Sequence, residues 1–264
     1  MPEITKFLAF DTSTDRMSIA LTDGARVWQH SGAGGAQASA TLIPAILALL
    51  ADAGLALDQL DAIAFGRGPG SFTGLRTACA VAQGLAFGAN GGAGIPVLPI
   101  DTLMAVAEEA RFQQRAAAGR PSGESVLRVT ALLDARMDEM YVQRYEFHGD
   151  ACVPLTGCEL IRPENLVPEL ATGLWAGNVF GVYADRLPAG LASLSRLEAL
   201  PTATAMLRLA PALAAAGHCV DAARAGALPL YVRDKVALTT DERAEVKARA
   251  ALSALAAASL AHPA

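Results

Sequence analysis

Residues 61 to 88, DAIAFGRGPGSFTGLRTACAVAQGLAFG, form the stretch best suited to hold a ligand. Gly66, Gly68, Pro69, Gly70 and Gly74, with Ser71 and Thr73 among them, separate the apolar run Ala62 to Phe65 from a small-residue segment with almost no charge. A strand that turns through glycines into a helix leaves backbone N–H groups unpaired at the helix start. Those donors and the helix dipole both favour an anion. Ser71 fits the N-cap. A Walker-type phosphate loop also needs a lysine followed by Ser or Thr at the end of its glycines. The lysines here are Lys6, Lys235 and Lys247, all elsewhere. Two readings stand: a rigid structural turn, or a phosphate site without the usual lysine.

Asp11 ends the apolar run Phe7 to Phe10 and opens the cluster Asp11-Thr12-Ser13-Thr14-Asp15. A loop aspartate there suits a hydrated magnesium ion. The plainer reading is a turn-forming Asx residue. Asp11, Thr12, Ser13, Gly68, Gly70 and Ser71 are therefore the candidate members of a vestigial nucleotide or anion site. No catalytic set emerges. Cys79 sits on an apolar helix and reads as core. Ser71 has no partnered histidine in a recognisable motif, so it is not read as a nucleophile. Arg67 and Arg76 read either as contacts to a partner's carboxylates or as loop surface.

Composition sets the outer limits. The 264 residues suit one large or two medium domains. Apolar residues make up 53% and charged ones 18%, which excludes a disordered or coiled-coil chain. No run approaches the roughly 18 apolar residues of a membrane span. The start, MPEITKFLAFD, lacks the layout of a secretory signal. Cys79, Cys152, Cys158 and Cys219 show no CxxC spacing, so the cytoplasm is the natural reading. Net charge is −5 and the arginines are scattered, with Arg111, Arg115, Arg120 and Arg128 reading as a solvated face. Tight nucleic-acid binding needs clustered cations and is disfavoured.

The pattern along the chain predicts the elements that would position these groups. Residues 6 to 29 read as three strands, with Met17, Ile19 and Leu21 alternating and Asp23-Gly24 as a hairpin turn. Residues 31 to 38 read as flexible linker. A helix over 39–53 carries Leu42, Ile46 and Leu49 beside Ile43, Leu47 and Leu50, an apolar stripe of roughly 160°. Pro44 suggests that its regular part starts a turn late. A helix over 73–87 sets Gly74, Ala78 and Ala82 four apart, a spacing that admits a close helix neighbour. These two helices read as a helix–helix surface for another protein or as internal packing. The surface reading names Leu42, Ile46, Leu49, Gly74, Ala78, Ala82 and Leu85. A strand over 96–100 and an exposed helix over 102–110 follow, then the Gly/Pro/Ser-rich stretch 116–125 as a domain boundary.

The second half echoes the first. Asp134 ends an apolar run and precedes Met140 by six residues, as Asp11 precedes Met17. That repeat predicts two related domains, each opening on strand, Asp-turn, strand. A strand into a Gly177-Asn178 turn, a helix over 202–216, a strand over 228–232 and a terminal helix over 241–261 complete the expectation. The domains fall at 1–115 and 116–240, with a helical tail at 241–264.

Four blocks in series carry a resemblance: LAFDTSTDRMSIAL (8 to 21), AFGRGPGSFTGLR (64 to 76) with AQGLAFG (82 to 88), LLDARMDEMYV (132 to 142) and PLYVRDKVA (229 to 237). In order and spacing the chain resembles the TsaD/TsaB (Kae1-like) family, on its TsaB (YeaZ) branch. The resemblance implies an actin/Hsp70-like, ribonuclease-H-like α/β fold with duplicated domains, the second reduced. It implies a non-catalytic scaffold role in N6-threonylcarbamoylation of adenosine 37 in tRNAs reading ANN codons. It also implies pairing with a TsaD-like protein and a TsaE-like ATPase, and a homodimer when alone. A weak ATP or ADP site with magnesium, and nucleotide hydrolase or phosphotransferase chemistry, stay open as the alternative. TsaD-like chains bind metal through two histidines four apart on the first-domain helix. Here residues 36–45 have Ala38 and Ala40 and no histidine, and His30, His148, His218 and His262 are never within a helical turn of one another. Neither a metal site nor metal-dependent peptidase chemistry is expected.

Overall fold

The computed structural model describes residues 5–118, 126–168, 173–222 and 228–233. The first half begins with three antiparallel strands, β1 (Phe7–Asp11), β2 (Arg16–Thr22) and β3 (Val27–Ala33). Helix α1 (Ala38–Ala53) leads to β4 (Ala62–Gly68), α2 (Phe72–Gly88) to β5 (Pro96–Asp101), and α3 (Thr102–Ala118) closes the half. Strands β4 and β5 join β1 in parallel, and β12 (Val220–Asp221) pairs with the far edge of β5. The order is β12-β5-β4-β1-β2-β3.

The second half repeats this plan. Strands β6 (Leu127–Asp134), β7 (Met140–His148) and β8 (Ala151–Pro154) are antiparallel, and β10 (Leu174–Gly177) and β11 (Ser195–Glu198) extend the sheet in parallel. The order β8-β7-β6-β10-β11 matches β3-β2-β1-β4-β5 strand for strand. Strand β9 (Glu159–Ile161) continues the outer edge of β7 beyond β8. The helices are cut back: α4 (Val179–Val182) stands between β10 and β11, and α5 (Ala203–Ala215) ends the half. This is the duplicated α/β plan of the actin-like fold with a reduced second copy.

The layers follow from burial. Strands β1 and β4 are buried on both faces, because α1 and α2 cover one side of the first sheet and α5 the other. Helices α3 and α5 pack against each other between the two sheets, in a continuous core containing Phe7, Leu98, Val106, Tyr145, Phe147 and Met206. A second core lies beneath α1 and α2, built on Leu8, Phe10, Ile19, Leu42, Ile46 and Phe65. Burying a leucine or isoleucine there contributes about 2 kcal/mol. A third, smaller core around Leu132, Met140, Trp175 and Tyr183 backs the second sheet.

Several expectations change. The expected linker 31–38 holds the end of β3 and a 3-10 turn, Gly35–Gln37. Helix α1 begins at Ala38 and runs through Pro44 rather than starting a turn late; Pro44 and Ala40, the residue whose carbonyl loses a donor, both lie on the exposed side, where solvent can reach the unpaired carbonyl. Helix α3 continues to Ala118 and is buried over Leu103–Val106 and Ala110 rather than exposed, since it serves both sheets. Residues 228–232 are not a strand: among the described backbone bonds one, from Leu230 N to Arg67 O (2.7 Å), ties them down. The expected boundary 116–125 falls on the end of α3 and on residues outside the described set, as does the expected terminal helix 241–261.

Candidate functional site

The turn after β1 and the glycine loop after β4 meet as one packed unit. Asp11 is 1% exposed. Its Oδ1 accepts from Ser13 N (2.8 Å) and Ser13 Oγ (2.6 Å), closing an Asx-type turn, and its Oδ2 accepts a long bond from Thr102 Oγ1 (3.4 Å). Burial pushes this carboxyl up to about 6, against the downward pull of the Ser13 and Thr102 bonds. Gly66 lies beside it, and a β-carbon there would overlap Asp11 Oδ2. Thr12 Oγ1 donates to Gly74 O (2.8 Å), and Ser71 N donates to Ser13 O (2.7 Å). A β-carbon at Gly74 would collide with Thr12 O, so glycine is required where the turn sits on the first turn of α2.

Asp11, Thr12, Ser13, Gly70 and Ser71 are thus brought together, filling the corner with the chain's own backbone. Gly68 faces away from them, against Leu230 O and Leu75. Ser71 stands at the N-cap position of α2 but its side chain makes no capping bond; its carbonyl accepts from Leu75 N (2.8 Å) instead. These residues do not fit a magnesium-bound nucleotide. The one carboxylate is sealed under glycine, and both its oxygens accept bonds from the chain instead of facing open solvent where a hydrated ion would sit. Among the described residues no group of three His, Cys, Asp or Glu is placed to hold a metal. Cys79 is buried, and burial pushes its thiol up, away from a nucleophilic thiolate.

The repeat of this turn in the second half is built differently. Asp134 Oδ1 accepts from Tyr183 Oη (2.6 Å) and from Arg136 N (2.9 Å), while Asn178 Oδ1 receives Asp134 N (2.9 Å). Tyr183 Oη also lies 3.0 Å from Glu139 O. Burial and the Asp134 carboxylate together hold the Tyr183 phenol well above its usual range.

The fourth sequence block returns to the glycine loop. The ring of Tyr231 stacks at a tilt on Phe72 (centroids 5.2 Å), and the Arg76 guanidinium lies 4.3 Å from the centroid of the same Phe72 ring. Arg67 is engaged within the chain, with Nε 2.5 Å from Asp101 Oδ1 at the end of β5. Arg111, expected on a solvated face, is buried and paired with Glu108.

The expected partner-facing residues turn inward. Leu42, Ile46, Leu49, Gly74, Ala78 and Ala82 all lie in the chain's own interior, most of them without exposure, and Leu85 is half-buried. The reason is geometric: the inner side of both helices is the side that covers β1, β2 and β4. The outward positions are others. On α1 they are Ala40, Ile43, Leu47, Ala48 and Ala51, with Ile43 41% and Leu47 55% exposed. On α2 they include Thr73, Arg76, Ala80, Gly84 and Phe87, the last 61% exposed. Asp52 is the one charge on α1 and Arg76 the one on α2.

Comparison with known proteins bears on this arrangement. The family described as "TsaD: tRNA N6-adenosine threonylcarbamoyltransferase" matches residues 34–238. A curated tRNA threonylcarbamoyladenosine biosynthesis protein TsaB from Haemophilus influenzae is 36% identical over 87% of this chain and 94% of its own length. The Escherichia coli protein of the same description is 32% identical over 88% and 96%. The chain belongs to the TsaB family. The solved structure of YeaZ from Pseudomonas aeruginosa superposes on it with a TM-score of 0.73 at 35% identity, covering 86% of this chain and all of that one. In this TsaB-family chain, α1 carries Ala38 and Ala40 and no histidine.

Sequence reasoning missed Thr102, Tyr183 and the Glu108–Arg208 contact. Thr102 and Tyr183 reach their aspartates from 91 and 49 residues away, so no local pattern announces them. The pair Glu108 and Arg111, three apart on α3, was a readable signal.

Proposed function

We infer that this chain is a scaffold subunit of tRNA threonylcarbamoyladenosine biosynthesis, seating a TsaD-like transferase subunit on the outward face of α1 and α2. The observation that carries the reading is that face itself. Two adjacent helices of 16 and 17 residues present Ile43, Leu47 and Phe87 among alanines and glycines, with one charge on each helix. Large apolar side chains beside small ones form a surface that another helix pair can approach closely, and exposed apolar area of this kind marks interaction sites. The same face closes on a second copy around a two-fold axis when the partner is absent. A TsaE-like ATPase joins the pair.

On this reading the chain makes no bonds itself, and the metal and nucleotide chemistry belongs to its partners. We place it in the cytoplasm, in keeping with four cysteines that show no CxxC spacing or disulfide-scaffold density. No described helix is long and apolar enough to cross a membrane. The acidic balance, −5 overall, accords with tRNA being held mainly by other subunits.

The reading is tested by reconstitution. Purified chain is mixed with TsaD-like and TsaE-like proteins, ATP, the threonylcarbamoyl donor and an ANN-reading tRNA, and each component is omitted in turn. Modified adenosine should form with the full set and collapse when this chain is left out. Full-rate modification without it, or modification by this chain alone, overturns the assignment.

A further inference from the structure

The most highly charged interior in the molecule lies away from the glycine loop, between the two sheets. Glu108 on α3 has no exposure. Its Oε2 accepts from Arg111 Nε (2.6 Å), and its Oε1 from Arg111 Nη2 (3.0 Å) and Arg208 Nε of α5 (2.8 Å). Glu109 Oε2 accepts from Arg208 Nη2 (2.8 Å) and from Thr202 Oγ1 (2.7 Å), the N-cap residue of α5. Arg111 Nη1 donates to Gly149 O and to Asp150 Oδ1 (both 3.1 Å) in the β7–β8 turn. The guanidinium of Arg208 also lies 4.1 Å over Phe112, and that of Arg111 5.2 Å over Phe147. One more bond completes the set: Ala203 N, in the first turn of α5, donates to Ser18 Oγ on β2 (2.9 Å).

Every one of these links except the Glu108–Arg111 pair crosses between the halves. Helix α3 and Ser18 belong to the first; α5, Thr202 and the 149–150 turn belong to the second. Two halves built on separate sheets would by default move against each other unless the junction is large or specific. Apolar packing alone tolerates sliding. An arginine fork set on Glu108, which has no exposure, does not, because a small displacement leaves part of that buried carboxylate unpaired. Burial alone would raise the Glu109 carboxyl, yet the bonds from Gln113, Thr202 and Arg208 hold it below the usual carboxylate range. Glu108, at the centre of the lattice, is screened little by salt.

We propose that the Glu108–Arg111–Arg208–Glu109–Thr202 lattice, with Ser18, is a latch that fixes the two halves in one orientation. The chain then behaves as a single rigid body with no working hinge, and its outer helices are held on a base that does not flex. This inference stands independently of which partner the outer helices meet.

Hydrogen exchange on the full chain tests it. In the wild type, amides of α5 and of the buried stretch of α3 should exchange only by the global opening that also releases β1 and β4, and 1 M salt should leave that equality intact. Arg208→Met keeps an apolar stem but removes the fork. It should speed exchange in α3 and α5 by about tenfold or more relative to β1 and β4. Equal acceleration everywhere, or wild-type α5 already exchanging faster than β1, overturns the proposal. Should Arg208→Met fail to fold, Ser18→Ala serves in its place: it should release the first turn of α5 by about threefold relative to β1, and no selective change there overturns the latch equally.

Discussion

The two halves repeat one sheet plan, strand for strand, and differ in what covers its outer face. The first half has α1 and α2, 16 and 17 residues long; the second has the four-residue α4 and irregular turns. Their aspartate turns diverge in the same sense. Asp11 is sealed beneath a glycine and carries a raised carboxyl, whereas Asp134 is met by a tyrosine hydroxyl and an exposed arginine. The difference lies in what each aspartate turn supports. The turn of the first half serves as the seat of α2, and the long helices on that seat supply an outer surface that the second half lacks.

The comparison breaks most visibly across a single turn of α2. Ala78 has no exposure and Ala80 faces outward. Ala78→Glu forces a carboxylate into a dry core and should cost more than about 4 kcal/mol, enough to abolish the folded chain. Ala80→Glu should stay within about 0.5 kcal/mol of wild type. Thermal melts of the two variants decide the matter, and a stable Ala78→Glu protein would contradict the assigned inner face.

A smaller effect separates the glycines of α2 and α4. Gly74→Ala drives a methyl into Thr12 O and should cost about 3 kcal/mol, whereas Gly181 meets nothing within 4 Å and Gly181→Ala should be neutral or slightly stabilising. Urea titrations of both variants report the difference.

The aspartates sharpen the contrast through pH. Asp11 has a folded-state value of about 6 against 3.8, so the folded chain binds the proton more tightly than the unfolded one. Stability from this group is therefore full below the unfolded value and is lost as pH rises through about 6. Asp11→Asn keeps an acceptor for Ser13 and removes the charge. It should gain on the order of 2 kcal/mol relative to wild type at pH 8, and that gain should vanish near pH 3.5. A pH-independent difference would show that the Asp11 carboxylate is solvated after all. Smallest is the tyrosine: Tyr183→Phe removes the hydroxyl that meets Asp134 and Glu139 O, and should cost about 1 kcal/mol in a urea titration.

Much of the fold was legible because its signals are local. The alternation of Met17, Ile19 and Leu21 gives β2, and the six-residue spacing from Asp11 and Asp134 gives the repeat. What failed depended on what lies opposite. The broad stripe on α1 has two sides, and only the position of the sheet decides that Leu42 and Ile46 turn inward while Ile43 and Leu47 turn out. Helix α3 reads as exposed because Glu108, Glu109 and Arg111 are charged; their partners arrive from Arg208, Thr202 and Asp150, far along the chain. Residues 228–232 carry strand-like types, yet one backbone bond and the Phe72–Tyr231 stack hold them.

A TsaD-like protein is proposed to sit on the outward face of α1 and α2. Calorimetric titration of that protein with wild type and with Leu47→Glu, a substitution at a 55% exposed position, tests it most directly. A folded Leu47→Glu chain should bind at least about tenfold more weakly, as expected for a charge placed in an apolar interface. Unchanged affinity from that folded variant would contradict the account.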